Sequence, residues 1–189
     1  METVSLKKWR LALSILALTL IAGVALPILL ALGLTDLIRA PQLIWQADGA
    51  SNWALVQSAG EFDLYRAPIP LPQPPFTLEL SAGNQGQPSS AWGLWLEIDG
   101  GIQTFVVSSE GYISISNDEM ARWAEFFHVH PTANKLYLHI EADHSAAFRI
   151  NDEIAWTGRV NATHNWGIAI FRNPQLVWGT ISLYGVNGS

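Results

Sequence analysis

The 189-residue chain contains no cysteine and few charges. The lack of cysteine excludes disulfide bonds, thiolate metal sites, haem attachment and cysteine nucleophiles, so an exported domain must be held together by its core alone. Charged residues make up 14% of the chain. Beyond position 34 there are 7 Lys and Arg against 15 Asp and Glu, which argues against nucleic acid and against an anionic lipid surface as partners.

Recognisable catalytic arrangements are missing as well. The sequence shows no Ser/His/Asp order, no glycine-rich phosphate loop and no HExxH helix. We therefore expect no catalytic residues and no enzymatic activity.

One uncharged run near the N-terminus accounts for much of the low charge. The segment "LALSILALTLIAGVALPILLALGL" spans residues 11–34. As a helix it would be about 36 Å long, enough to cross a hydrocarbon core of ~30 Å. Because Lys7, Lys8 and Arg10 precede the run, the N-terminus is expected in the cytoplasm and the rest of the chain outside the cell membrane. The predicted organisation is a cytoplasmic segment (1–10), a single transmembrane helix (11–34), a tether (35–42) and an extracytoplasmic domain (43–189).

A cleaved signal peptide is the alternative interpretation of this run. Its apolar part would be residues 11–21, with a small-residue cleavage site at Gly23-Val24-Ala25. The apolar run continues nine residues past Ala25, however, which favours an uncleaved anchor. Within the anchor, Ala22, Gly23 and Ala25 would let partner helices approach closely, and Pro27 would give a kink.

After the tether the hydrophobic period changes from helical to two. Short apolar-alternating runs are separated by turn signals such as Gly83-Asn84, Glu110-Gly111 and Asn151-Asp152. The proline-rich segment "APIPLPQPP" (67–75) is interpreted as a strap between two strands, and the alternative is an interdomain linker. The runs predict an antiparallel β-sandwich with strands at 43–47, 61–66, 76–82, 91–99, 102–108, 112–116, 125–129, 135–142, 146–150, 153–157, 166–172 and 176–186.

Four stretches of the chain carry a family resemblance. They are "FTLELSAG", "WGLWLEIDGGIQTFVVSSEGYISI", "ANKLYLHIEADHSAAFRINDEIAWTG" and "WGIAIFRNPQLVWGTISLYGV". Together they resemble the concanavalin A-like jelly rolls, and within them the laminin-G-like branch and the 3-keto-disaccharide hydrolase-type domains. In "AAFRIND", Asp152 stands where the family's hairpin turn has glycine. The fold class implied is mainly β, an antiparallel jelly-roll sandwich preceded by one transmembrane α-helix.

The stretch "WLEIDGGI" resembles the E-x-D-x-x-E strand of family-16 retaining glucanases. Glu97 and Asp99 match the first two carboxylates, but Ile102 stands in the third place, where that family has its general acid. Retention needs two close carboxyl groups, one with a raised pKa. Without the third group, nothing in the sequence positions the pair, so a binding role is favoured over glycosidase activity.

The candidate ligand site is a sugar-binding patch. Alternation places Trp95, Glu97 and Asp99 in a row on the face of their strand away from the core, where an indole beside two carboxylates could stack on a pyranose and accept its hydroxyl protons. Tyr137 and His139, on the polar face of a later strand, could extend the patch. The alternative is a solvated polar face with one exposed aromatic residue.

Metal sites are less well defined. His128 and His130 in "HVHP" have a spacing compatible with a metal, but no third ligand is identifiable. Oxygen-rich turns at 99–101, 117–119 and 151–153 could hold Ca²⁺, which laminin-G-like folds often bind. We therefore expect no required cofactor, with Ca²⁺ as the alternative.

Two functions follow from these observations. The first is a non-catalytic accessory subunit, whose helix and periplasmic or extracellular sandwich bind integral membrane proteins of a larger complex, for example an energy-converting one. The second is a membrane-tethered carbohydrate-binding module with a glycan as its partner. The short tether favours the first function, because it keeps the sandwich close to the bilayer.

Overall fold

The computed structural model describes residues 6–31, 42–50, 52–59, 62–84, 90–117, 122–171 and 176–186. The chain divides into two compact units, 1–37 and 38–189. The elements are α1 Leu6–Ala31, β1 Gln42–Asp48, β2 Ala54–Ala59, β3 Phe62–Arg66, β4 Phe76–Asn84, β5 Ala91–Ile98, β6 Gly101–Ser108, β7 Tyr112–Ser116, β8 Trp123–Glu125, β9 Ala133–Ile140, β10 Ser145–Ile150, β11 Glu153–Arg159, β12 Ala162–Phe171 and β13 Leu176–Gly185.

The first unit contains α1, whose side chains are described at Trp9, 12–21 and 23–25. Within these described residues, no helix is long and apolar enough to cross a membrane. The predicted transmembrane span over 11–34 is therefore not supported. Gly23 and Ala25 are exposed, and the side chains of Ala22 and Pro27 lie outside the described set, so their role in helix packing stays a prediction.

The second unit is a sandwich of two antiparallel sheets, as predicted. The seven-stranded sheet has the order β2-β3-β12-β5-β6-β7-β8, and the six-stranded sheet has the order β1-β13-β4-β9-β10-β11. Ala67 and Leu71 of the proline-rich segment donate backbone hydrogen bonds to Trp166 and His164 of β12. That segment joins β3 of one sheet to β4 of the other, which confirms its interpretation as a strap.

The main core lies between the sheets and is rich in tryptophan. Trp92 and Trp166 are fully buried there. The rings of Trp45 and Trp53 stand 6.0 and 5.6 Å from the ring of Trp166 in edge-on geometry. Each buried aromatic residue removes a large apolar area from water, which compensates for the lack of disulfide bonds.

Strand positions agree with the predicted runs at most places and differ at two. β2 is an additional edge strand that the sequence interpretation missed. The predicted strand 125–129 is wrong, because β8 ends at Glu125 and the chain turns at Phe127 and His128.

Candidate functional site

The five residues of the predicted sugar patch are not brought together. Trp95 and Glu97 belong to β5 in the seven-stranded sheet, and Asp99 follows in the turn after it, whereas Tyr137 and His139 belong to β9 in the six-stranded sheet. On each strand these residues alternate with neighbours that fill the core between the sheets. They therefore lie on opposite outer faces of the sandwich, and the expectation of one continuous patch is wrong.

Trp95 packs within the protein rather than presenting an open ring. It is 3% exposed, and its indole Nε1 donates a hydrogen bond to the carbonyl oxygen of Tyr65, 3.1 Å away. A Cβ at Gly167 would collide with that same carbonyl and approach Trp95 Nε1 to 2.7 Å, so only glycine leaves room for the indole. Trp95 belongs to a second apolar cluster with Phe62 and Val106. The expectation of an exposed aromatic platform is therefore wrong.

Glu97 is tied to strand β12. One of its carboxylate oxygens accepts hydrogen bonds from Thr163 Oγ1 at 2.8 Å and Asn165 Nδ2 at 2.7 Å. These bonds, first that of Thr163 and then that of Asn165, hold the pKa of Glu97 below its ordinary value of 4.5. A glycosidase general acid needs the opposite shift. Asp99 is exposed beside Gly100, which turns with φ 90°.

The outer face of the six-stranded sheet is polar across four adjacent strands. Strand register brings Thr77 opposite His139, and Glu79 opposite both Ser182 and Tyr137. Tyr137 in turn stands opposite Arg149. We call this surface the polar face, made of Thr77, Glu79, Tyr137, His139, Arg149 and Ser182, and all six are buried.

His139 sits in the polar face between a hydroxyl and a carboxylate. Its Nδ1 lies 2.8 Å from Thr77 Oγ1, and its Nε2 lies 3.1 Å from Glu141 Oε1. Despite that short distance, Nε2 has no hydrogen-bond partner within the described structure. Hydroxyl, imidazole and carboxylate in a row can activate a nucleophile, but the Thr77 side chain is 0% exposed. No substrate reaches the hydroxyl in this conformation.

A groove of about 470 Å³ adjoins the polar face where β13, β4 and β9 run side by side. Ser81, Gly83 and Gly179 contribute only small side chains to its lining, and Trp178, Lys135 and Asn151 also line it. Since Ser81 and Lys135 lie two residues along their strands from Glu79 and Tyr137, they share the outer face with the polar face. The groove therefore exists because small residues replace large ones next to the polar face.

Fixed polar groups surround this groove. Asn151 is locked, because its Oδ1 accepts from Lys135 N at 2.9 Å and its Nδ2 donates to His128 O at 2.7 Å. Lys135 Nζ lies 3.7 Å from Glu79 Oε2, and its side chain is 44% exposed. The sequence interpretation missed the groove. The available signal was the succession of small residues at 81–83 and 179.

The predicted metal positions do not assemble a site in the described ranges. No group of three or more His, Asp or Glu side chains there is placed to hold a metal ion. His128 and His130 are exposed, and their backbone atoms bond to Asn151 and Asn134. Of the three candidate Ca²⁺ turns, the one at 117–119 falls largely outside the described residues, so Ca²⁺ binding stays a prediction.

Comparisons with known proteins identify the fold. No family model and no curated protein matches the sequence. A protein of unknown function with a galectin-like fold from Bacillus subtilis is similar at TM-score 0.54 and 9% identity, over 77% of this chain and 97% of that one. A mutant of the Emp46p carbohydrate recognition domain is similar at TM-score 0.50 and 12% identity, over 66% of this chain and 78% of that one. The sandwich therefore has a galectin-like fold, consistent with the concanavalin A-like architecture expected from the sequence.

Proposed function

We propose that the sandwich is a non-catalytic carbohydrate-binding module that holds a glycan in the groove beside the polar face. The observation that carries the proposal is the groove itself, where Lys135, the locked Asn151 and the exposed Val177 line one hollow next to buried polar side chains. Its volume falls within the range of roughly 300–1,000 Å³ that is typical of small-molecule sites.

The chemistry of the lining suits a neutral sugar ring. Val177, exposed beside the groove, offers an apolar surface to the C–H groups of a pyranose, and Lys135 donates to its hydroxyl oxygens. The side chains of the polar face are buried, and Thr77 contacts His139, so ordering them costs little entropy on binding. This preorganisation favours the polar face and its groove over the exposed Asp99 turn as the glycan-binding site.

The comparisons support this alternative better than the accessory-subunit function. The similar Emp46p domain is named a carbohydrate recognition domain and has the same fold. At 12% identity, however, its binding residues cannot be transferred to this chain. No finding supports binding to membrane protein partners. The site assignment rests on this chain's own residues.

A blocked groove tests the proposal. The full chain is applied to a glycan array as wild type and as Ser81→Phe, whose ring would fill the groove from its floor. The matched control is Thr157→Phe, an exposed position on the outer face of the edge strand β11 of the same sheet. We expect one glycan class to bind the wild type and the control but not Ser81→Phe. Equal binding by all three proteins, or no binding by the wild type, would contradict the proposal.

Membrane anchoring through residues 11–34 is part of the same proposal and rests on the sequence, with the N-terminus inside and the sandwich outside. The test is alkaline carbonate extraction of membranes from cells that express the full chain. We expect the protein to stay in the membrane pellet, and release into the supernatant would contradict anchoring.

A further inference from the structure

One flank of the sandwich, formed by an edge strand of each sheet, is apolar and exposed. β1 is the edge of the six-stranded sheet, and β2 is the edge of the seven-stranded sheet. They border the same side of the sandwich, because the rings of Trp45 on β1 and Trp53 just before β2 lie 5.9 Å apart. The large apolar side chains that are 39–55% exposed on these two strands are Leu43, Ile44, Leu55 and Val56. We call these four residues the apolar flank.

The apolar flank lacks the charged side chains that protect most sheet edges. Asp48, the last residue of β1, is the only charged residue in the sequences of β1 and β2. At the other ends of the two sheets, β11 carries Glu153 and Arg159, and β8 carries Glu125. Contiguous exposed apolar surface marks places where a protein contacts another protein, a membrane or a ligand. The contrast between the two pairs of edges therefore indicates that another surface covers the apolar flank.

β-Bulges on both strands disfavour covering by another strand. The pairing registers skip Ile44 on β1 and Val56 on β2, so each edge has one extra residue at that point. The extra residue bends the strand and interrupts its row of backbone donors and acceptors, which disfavours strand addition by a second copy of the chain. The apolar flank is therefore suited to contact through side chains.

The groups around the apolar flank suit the interface of a lipid bilayer. Leu43 stands opposite Tyr184, and Leu55 stands opposite Tyr65, so a half-buried tyrosine accompanies each exposed leucine. Arg66, exposed at the end of the neighbouring strand β3, places a cation beside β2. Tyrosine is enriched at membrane–water interfaces, and arginine there lays its stem on apolar surface while its charge reaches the headgroups.

We infer that the apolar flank rests on the lipid–water interface of a bilayer. This inference depends on the proposed anchoring through residues 11–34. The predicted tether, residues 35–42, is too short to carry the start of β1 far from the bilayer. Because Asp and Glu outnumber Lys and Arg beyond position 34, the surface expected is zwitterionic rather than anionic lipid.

Single labels test this contact, since the chain has no native cysteine. Leu43→Cys and Leu55→Cys are each labelled with a small fluorophore in the full chain, which is reconstituted in phosphatidylcholine vesicles. The matched control is Ile154→Cys, whose native side chain is 47% exposed on β11, the edge strand at the other end of the six-stranded sheet. We expect a nitroxide near the headgroup end of the acyl chains to quench the labels at 43 and 55 several-fold more than the label at 154. Aqueous iodide, present on both sides of the membrane, should show the reverse order.

A charge placed in the apolar flank gives a second test. Leu55→Glu, added to the chain labelled at position 43, should lower lipid quenching of that label towards the value at 154, because interfacial binding depends on the apolar area that is buried. Ile154→Glu in the same labelled chain should leave the quenching unchanged. Unchanged quenching in Leu55→Glu would contradict the inference.

The other outcomes separate this inference from the proposed function. Equal lipid quenching at all three positions overturns the inference. Labels at 43 and 55 that are shielded from iodide without lipid quenching also overturn it, because a second copy of the chain would then cover the apolar flank. Release of the chain by alkaline carbonate overturns the anchoring and this inference together, whereas a retained chain with equal quenching overturns this inference alone.

Discussion

Gly167 on β12 leaves the space that the indole of Trp95 on β5 occupies, so a substitution at Gly167 has a clear expected effect on stability. A Cβ at position 167 would collide with the Tyr65 carbonyl and displace the indole from its hydrogen bond. We expect Gly167→Ala to lower the free energy of unfolding by about 3 kcal/mol, the upper end of overpacking costs.

Urea unfolding measures this effect, and Gly101→Ala is its control. At Gly101 a Cβ meets no atom within 4 Å, so that variant should stay within about 0.5 kcal/mol of the wild type. Similar losses at both glycines would show that close packing around Trp95 is not the cause.

Glu97 gives a pH-dependent expectation at the same scale. Its pKa is lowered in the folded state by Thr163 and Asn165, so folding favours the ionised carboxylate. The resulting stabilisation is present above the ordinary pKa of 4.5 and is lost as the pH falls through the lowered value. The wild type should therefore exceed Glu97→Gln in stability at pH 7, and the difference should shrink towards pH 3. Urea unfolding at several pH values measures it, and a difference that does not change with pH would contradict the assignment.

The β10–β11 hairpin is the clearest case at the scale of an element. Its two-residue turn has Asn151 at φ 51° and Asp152 at φ 73°, both left-handed, which is the pattern of a type I′ turn. The Asp152 carbonyl accepts a hydrogen bond from Arg149 Nη1 at 2.8 Å. Glycine at 152 removes backbone strain of about 1–2 kcal/mol but costs about 0.5–1 kcal/mol in chain entropy. Asp152→Gly should therefore raise the free energy of unfolding by about 0.5 kcal/mol.

The neighbouring position serves as the matched comparison. Asn151→Gly keeps the backbone freedom but removes the side-chain bonds to Lys135 N, His128 O and Asn134 Oδ1. We expect it to lower the free energy of unfolding by about 1–3 kcal/mol in thermal or urea unfolding. Destabilisation by Asp152→Gly as well would contradict the turn assignment.

The sequence predicts the positions of strands where polar and apolar residues alternate strongly. It does not predict strands whose formation depends on tertiary packing. On β5 the alternation correctly placed Trp95 and Glu97 on the face away from the core between the sheets, which Trp92 and Leu94 fill. β8 is only three residues long and exposed, so its pairing with β7 leaves no hydrophobic period to detect. The sequence also does not predict to which of the two sheets a given strand belongs. Alternation indicates that Trp95 and His139 both face away from the core. Only the pairing of strands that are distant in the sequence determines that they belong to different sheets.

At the scale of the whole molecule, the sandwich presents two outer faces of different character. The seven-stranded sheet covers its outer face with an apolar cluster around Trp95, Phe62 and Phe171. The six-stranded sheet carries buried polar groups and the groove beside Lys135. The sequence analysis combined residues of both faces in one candidate site. It started from the carboxylates near the Trp95 indole on one strand and added Tyr137 and His139 from another. The proposed function places the binding chemistry on the six-stranded side.

The affinity of the bound glycan for two variants tests that assignment most directly. Calorimetric titration with the tightest array ligand is carried out on the wild type, on Lys135→Met in the groove, and on Asp99→Asn on the other sheet. Loss of a hydrogen bond from a charged donor costs about 1.5–3 kcal/mol, so Lys135→Met should bind about tenfold or more weakly. Asp99→Asn should bind like the wild type. The opposite pattern, with Asp99→Asn weakened and Lys135→Met unchanged, would place the site on the seven-stranded sheet and contradict the account.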